Sequence, residues 1–206
     1  MNGILTNLRS TVISGIILTI IMIIVIIIWH GDSAPAYLDL GDGNWWAFFL
    51  RWLHVLSGVM WIGILWYFNF VQIPSMPKIP DEQKPAISKV IAPAALFWFR
   101  WGAMATIATG LILALINDYL VDAILIGLNS GDPKHTGIGI GMWLGTIMWA
   151  NVWFIIWPNQ KKALGIVEVD ADSKAKAART AMLFSRTNTL LSIPMLYAMV
   201  SAQNLF

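Results

Sequence analysis

Five long windows without a formal charge limit what this chain can fold into. Ser10 to Gly31, Trp52 to Pro77, Trp101 to Asn117, His135 to Gln160 and Thr187 to Phe206 contain no Asp, Glu, Lys or Arg. Crossing the hydrocarbon layer takes about 20 mostly apolar residues as a helix. The spacing predicts an all-α, polytopic transmembrane bundle with spans near 11–30, 46–71, 99–126, 138–158 and 180–202. Composition agrees: 58% of the residues are hydrophobic and 12% charged, against roughly 25% charged in soluble domains. The Ile-rich first window would suit a strand in water. In lipid an unpaired strand backbone costs too much, which favours a helix. Its apolar run also exceeds the roughly 7–15 residues of a signal-peptide core. With no cysteine, disulfides, thiolate metal sites and a covalently attached c-type haem are excluded from this chain. The formal charge of +2 gives no footprint for a nucleic-acid partner.

Basic residues in the connecting segments predict orientation. With the N-terminus inside, Arg9, Lys78, Lys84, Lys89, Arg100, Lys161, Lys162, Lys174, Lys176, Arg179 and Arg186 lie on the cytoplasmic side, leaving only Arg51 and Lys134 outside. The outer loops then hold Asp32, Asp39, Asp42, Asp118, Asp122 and Asp132. An N-in, C-out topology is expected for a single domain over residues 1–206. Residues 74–98, Pro-rich at their start, are expected to lie along the inner interface or to extend the third helix inward. Residues 159–179, the most polar stretch, are expected to form a cytoplasmic loop or helical extension. Trp45, Trp46, Trp98, Trp101, Trp143 and Trp157 fall near helix ends, as in an aromatic belt.

The three histidines narrow the chemistry. His54 sits about eight residues into its helix, roughly 12 Å along it. An intramembrane ionisable residue is a functional candidate by default. Ser57, Gly58 and Trp61 follow at i+3, i+4 and i+7 and share its face. A glycine one turn from a histidine lets a flat macrocycle approach the backbone, as axial haem ligation requires. The plainer alternative is a neutral imidazole bonded to a neighbouring carbonyl, with Gly58 and Gly63 serving helix packing. His30 and His135, at the outer ends of helices, are expected to be solvated loop residues, though either could supply a second axial ligand. A three-histidine copper or zinc site is a further geometric option. At the inner side, Arg100, Asn151, Asn159, Gln160, Arg186 and Asn188 could present in-plane donors to a planar anion. Ordinary topology and helix–helix hydrogen bonding account for the same residues.

Several ordered blocks resemble one family. RWLHVLSGVMWIG (51–63), YFNFVQIP (67–74), WFRWG (98–102), LGTIMWANVWF (144–154), WPNQK (157–161) and SRTNTLLSIPM (185–195) are similar to the membrane-bound, cytochrome-linked urate oxidases (urate hydroxylases). The first block alone also occurs in copper-transport and haem-pathway membrane families. The resemblance implies oxidation of urate to 5-hydroxyisourate with electrons passed to a cytochrome c. It implies His54 as a ligand or redox-site residue, and Arg100, Asn159, Gln160, Arg186 and Asn188 as matched polar positions and candidates for substrate binding, without identifying which of them touch substrate. The haem is expected to be b-type and non-covalent, and the protein a multi-pass component of a bacterial inner (cytoplasmic) membrane. Longer members carry further helices and a C-terminal c-type cytochrome, whereas this sequence stops at Phe206 without cysteine. The expected partners are a separate cytochrome c or other membrane redox subunits, together with lipid, in a hetero- or homo-oligomer. Two other readings stand beside it: a non-catalytic accessory subunit of a respiratory or photosynthetic complex, and a small haem-b protein linked to quinol.

Overall fold

A computed structural model describes residues 2–30 and 41–205. The fold is all-helical, about 85% helix, and among the described residues there is no strand. The chain divides into two compact units, 1–49 and 50–206.

The first unit holds α1, Leu8–His30, and the opening turns of α2, Gly43–Lys78. Asn7 starts α1: its side-chain oxygen accepts from the backbone N–H of Arg9 at 2.9 Å and of Ser10 at 3.4 Å. These are orphan donors that an N-cap residue satisfies. Inside the helix Thr19 donates to Gly15 O at 3.0 Å, so its hydroxyl asks nothing of lipid. No residue in the apolar window of α1 is buried. At the start of α2, Trp45 stacks on Phe49, with ring centroids 5.3 Å apart. Asp32 and Asp39, expected in an outer loop, lie outside the described residues, as does the side chain of His30.

The second unit holds the rest of α2, then α3 (Lys84–Ile116), α4 (Leu120–Ile124), α5 (Pro133–Ala163) and α6 (Ala171–Asn204). Its core joins Trp61, Leu65 and Phe68 of α2 to Leu96, Phe99 and Ala103 of α3, Met148, Val152 and Ile156 of α5, and Met195 of α6. α6 packs along every segment of α5.

Each of the three long helices α2, α3 and α5 widens once into a π-helical stretch: Tyr67–Gln72, Ile87–Ile91 and Asn151–Ile156. The i→i−5 bonds are explicit: Ile73 N–H to Phe68 O, Ala92 N–H to Ile87 O, and Trp157 N–H to Val152 O. A proline follows each of the three, although Pro194 inside α6 leaves that helix without a π stretch. Pro74, Pro93 and Pro158 have no N–H for the carbonyls of Phe70, Lys89 and Phe154 four residues back, and their rings crowd those carbonyls. Each of these carbonyls falls inside a π stretch, and the wider turn accommodates the ring.

Among the described residues four helices are long and apolar enough to cross a membrane: Leu8–Trp29, Gly43–Lys78, Lys84–Ile116 and Pro133–Ala163. The expected fifth, near 180–202, forms as part of the 34-residue α6 but is not in that set. Its buried face carries Ser185, Asn188, Ser192 and Ser201, and these polar residues lower its mean hydropathy. The third helix also differs from expectation. It ends at Ile116, not near 126, because Asp118 adopts φ +56°, a left-handed conformation that short polar residues tolerate. Residues 120–124 fold back as α4 against α5, where Trp143 Nε1 donates to Ile124 O at 2.9 Å. From Lys84 onward the 74–98 segment is helical and continuous with α3. In the 159–179 stretch, α5 runs to Ala163 and α6 begins at Ala171. Gly165 at φ +73° follows the end of α5, a usual helix stop.

Candidate functional site

His54 stands half-buried on α2 and reaches across to α3. Its Nδ1 lies 2.9 Å from Thr106 O and 3.2 Å from Thr109 Oγ1. The Thr109 hydroxyl donates to Ala105 O at 2.7 Å. Gly110 lets the ring approach: a Cβ there would sit 2.9 Å from His54 Cε1. His54 Nε2 has no hydrogen-bond partner among the described residues and is not among their fully buried unpaired atoms. Gly58, one turn along, has open space where a Cβ would be. A free imidazole nitrogen beside an open backbone fits axial ligation of a flat macrocycle.

The other residues expected around His54 do different things. Ser57 donates to Leu53 O of its own helix. Trp61 is 1% exposed and sits in the core where α2 crosses α3. A Cβ at Gly102 would approach its backbone nitrogen at 3.3 Å. Thr106, Thr109 and Gly110 escaped the reading of the sequence. Their only signal is a T-x-x-T-G pattern in an otherwise apolar helix, some fifty residues from His54.

His135 belongs to another cluster. Its Nδ1 lies 3.0 Å from Ser130 Oγ and 3.6 Å from Asp122 Oδ2, and its ring stacks on Tyr119. Burial pushes the Tyr119 phenol above its ordinary range, while the charge of Arg51 pulls it back. The neighbouring loop carries Ile126 at φ +54°, a strained conformation for a β-branched residue. Thr136, donating to Ile126 O at 3.2 Å, helps hold it there. Among the described residues no three His, Asp or Glu side chains gather to hold a metal ion, so no three-histidine copper or zinc site forms among them.

The inner polar residues separate into two groups. The Arg100 guanidinium lies 3.4 Å from the centre of the Trp157 ring, and Lys161 Nζ lies 5.7 Å from it. One Arg100 Nη is buried without a partner. Asn159 donates to Ile155 O of its own helix at 2.8 Å, and Gln160 is half-buried beside it. The second group ties α6 to its neighbours. Asn188, fully buried, donates to Met148 O at 2.9 Å and accepts from Asn151 Nδ2 at 2.8 Å. Asn69 Nδ2 donates to Ser185 Oγ at 2.8 Å, and Trp66 Nε1 to Ser192 Oγ at 3.0 Å. Arg186 points outward and is exposed. The structure thus brings Arg100 to the Trp157–Lys161 segment and turns Asn188 into a helix contact.

The fold and this site describe an all-helical protein with helices long and apolar enough to cross a membrane and an imidazole held between two of them. Residues 133–205, which comprise α5 and α6, match a family model described as urate oxidase N-terminal. The match relates about a third of the chain to urate oxidases. It includes Asn159, Gln160, Arg186 and Asn188, whereas His54 and Arg100 lie outside it. No curated relative and no solved structure matches the chain.

Proposed function

We propose that this protein is a membrane-embedded, urate-oxidase-like redox subunit that converts urate to 5-hydroxyisourate and delivers electrons to a cytochrome c outside these residues. The observation that carries the reading is the urate oxidase N-terminal match over α5 and α6. The net reaction takes urate and water to 5-hydroxyisourate with release of two protons and two electrons, so an electron acceptor is required. A b-type haem held by His54 Nε2 would supply one-electron acceptance there. His54 would anchor that group, and Gly58 would leave room beside it. Arg100, stacked on Trp157 with one Nη unpaired, would attract a planar anion and orient it through in-plane donors. Gln160 and Lys161 would extend that donor set. An N-in, C-out arrangement in a bacterial inner membrane, with α6 as a fifth span, would place this end toward the cytoplasm, following the bias of basic residues.

The test is a reduced-minus-oxidised spectrum of the purified full chain, before and after urate. A Soret band that shifts on adding urate, and disappears in His54→Ala, is expected. A featureless spectrum that His54→Ala leaves unchanged refutes the redox reading. One observation favours a second reading, a non-catalytic accessory subunit: the polar positions do not converge on a single pocket, since Asn188 is used between helices and Arg186 faces outward. Co-purification with other subunits in a fixed ratio, without urate-dependent reduction of cytochrome c, would select it.

A further inference from the structure

We infer that Thr106, Thr109 and Gly110 of α3 are positioning residues that fix the His54 imidazole as its Nδ1–H tautomer and present the Nε2 lone pair to a metal centre of the porphyrin class. The inference rests on the reading of His54 as a haem ligand and adds what sets its geometry. Both groups facing Nδ1 are acceptors. The Thr106 carbonyl, at 2.9 Å, can only accept. The Thr109 hydroxyl has two backbone acceptors for its single hydrogen, Ala105 O at 2.7 Å and Thr106 O at 3.2 Å, so toward His54, at 3.2 Å, it offers a lone pair. Nδ1 must therefore carry the proton, and in a neutral ring Nε2 is then the bare nitrogen. Ligating histidines characteristically donate their other ring N–H to a carbonyl, which fixes tautomer and ring orientation. Gly110 sets the distance. A Cβ at this position would come within 2.9 Å of Cε1 and 3.2 Å of Nδ1, so any larger residue drives the ring off the Thr106 carbonyl.

The experiment uses the full chain in lipid nanodiscs with ¹⁵N-labelled histidine, and hemin as the probe. Nitrogen NMR reads the tautomer before hemin is added, with the His54 signals assigned by their loss in His54→Gln. The wild type is expected to show a protonated Nδ1 and an unprotonated Nε2 at His54. Gly110→Ala is expected to abolish that preference and weaken hemin binding by about ten-fold or more, the usual scale for losing an outer-shell partner. Thr109→Val, which keeps shape and removes one acceptor, should weaken the tautomer preference less. A wild-type His54 protonated at Nε2 overturns the inference and needs no variant. So does a folded Gly110→Ala that binds hemin as the wild type does while His54→Ala abolishes binding. If His54→Ala itself binds hemin undiminished, the underlying ligand reading has failed instead.

Discussion

Asn188→Leu is the sharpest test of whether the amide pair between α5 and α6 is architecture. Asn188 is fully buried and makes two interhelical hydrogen bonds, at 2.8 and 2.9 Å. Interhelical bonds in membranes average about 0.6 and reach about 1.7 kcal/mol, so losing both costs about 1–3 kcal/mol. Leucine keeps the branched shape and opens no cavity, and its greater bulk in a fully buried site adds strain of its own. It leaves Asn151 Nδ2, itself buried, without its acceptor, which adds about 1–3 kcal/mol. A destabilisation of about 2–6 kcal/mol follows. The double variant Asn151→Leu/Asn188→Leu leaves no unpaired side-chain donor, and removing both partners of a buried bond is often close to neutral. Its cost should fall below the sum of the single variants by about 1–3 kcal/mol. Reversible unfolding in mixed lipid–detergent micelles, followed by circular dichroism across the four-member cycle, measures this. Effects that add to within about 0.5 kcal/mol would mean the two amides do not interact. The cycle also bears on function, because a folded double variant that keeps urate-dependent reduction removes Asn188 from the substrate positions.

Gly139→Ala would drive a methyl group to within 2.9 Å of Ile126 Cα and against the carbonyl of Ala123. It should cost about 1–3 kcal/mol by overpacking, whereas Gly145→Ala, with nothing within 4 Å, should be neutral or stabilise by up to about 1 kcal/mol; thermal unfolding of both decides. Asp170 caps α6 by accepting from Ser173 N–H at 2.8 Å, and its bonds to Ser173 hold its carboxyl below the usual carboxylate range. The stabilisation is present above the unfolded-state value and is lost as pH falls through the folded one. Asp170→Ala should therefore be less stable than the wild type at neutral pH and converge with it in acid, as pH-dependent unfolding would show. Because Arg51 opposes the upward shift of Tyr119, Arg51→Ala should raise the Tyr119 titration further, read as phenolate absorbance against a Tyr119→Phe blank. An unchanged or lower titration refutes that coupling.

The helical architecture was legible because charge-free windows leave the backbone one way to satisfy itself in lipid. The end of α3 was not. LVDAILIGL (120–128) continues the apolar pattern, and only the left-handed turn at Asp118, with the Trp143 bond to Ile124, shows that it folds back. α6 was legible as a helix and ambiguous as a span, since Ser185, Asn188 and Ser192 recur at helical spacing and, with Ser201, face inward. His54 stood out for its cost in an apolar helix. What holds it lies on another helix, and no local pattern on α2 encodes that pairing. Asn188 was conspicuous for the same reason as His54, but an amide in a membrane serves a helix contact and a ligand equally well.

The three prolines connect these observations, and Pro158 can be argued to a number. The wide turn Asn151–Ile156 sits between the part of α5 that carries Gly145 and Met148 and the part that carries Trp157, Asn159 and Gln160. One extra residue in a helical turn rotates everything beyond it by about 100°. Pro158→Ala restores the missing N–H and lets the turn close to an α-helix, which swings the Trp157 ring off Arg100, now 3.4 Å away. Removing proline from a helix interior gains about 3 kcal/mol, and losing the cation–π contact costs about 0.5–2 kcal/mol. Stability should therefore rise by about 1–2.5 kcal/mol while the geometry changes. The absence of cysteine makes the geometry measurable, because labels can be placed at will on Thr146 and Lys162, exposed residues on either side of the turn. Pulsed spin-label distances between them should shift by several ångströms in the Pro158→Ala background. If the distance is unchanged, packing and not Pro158 sets the wide turn. If the distance shifts and anion binding persists, Arg100 does not need the Trp157 ring to present its donors.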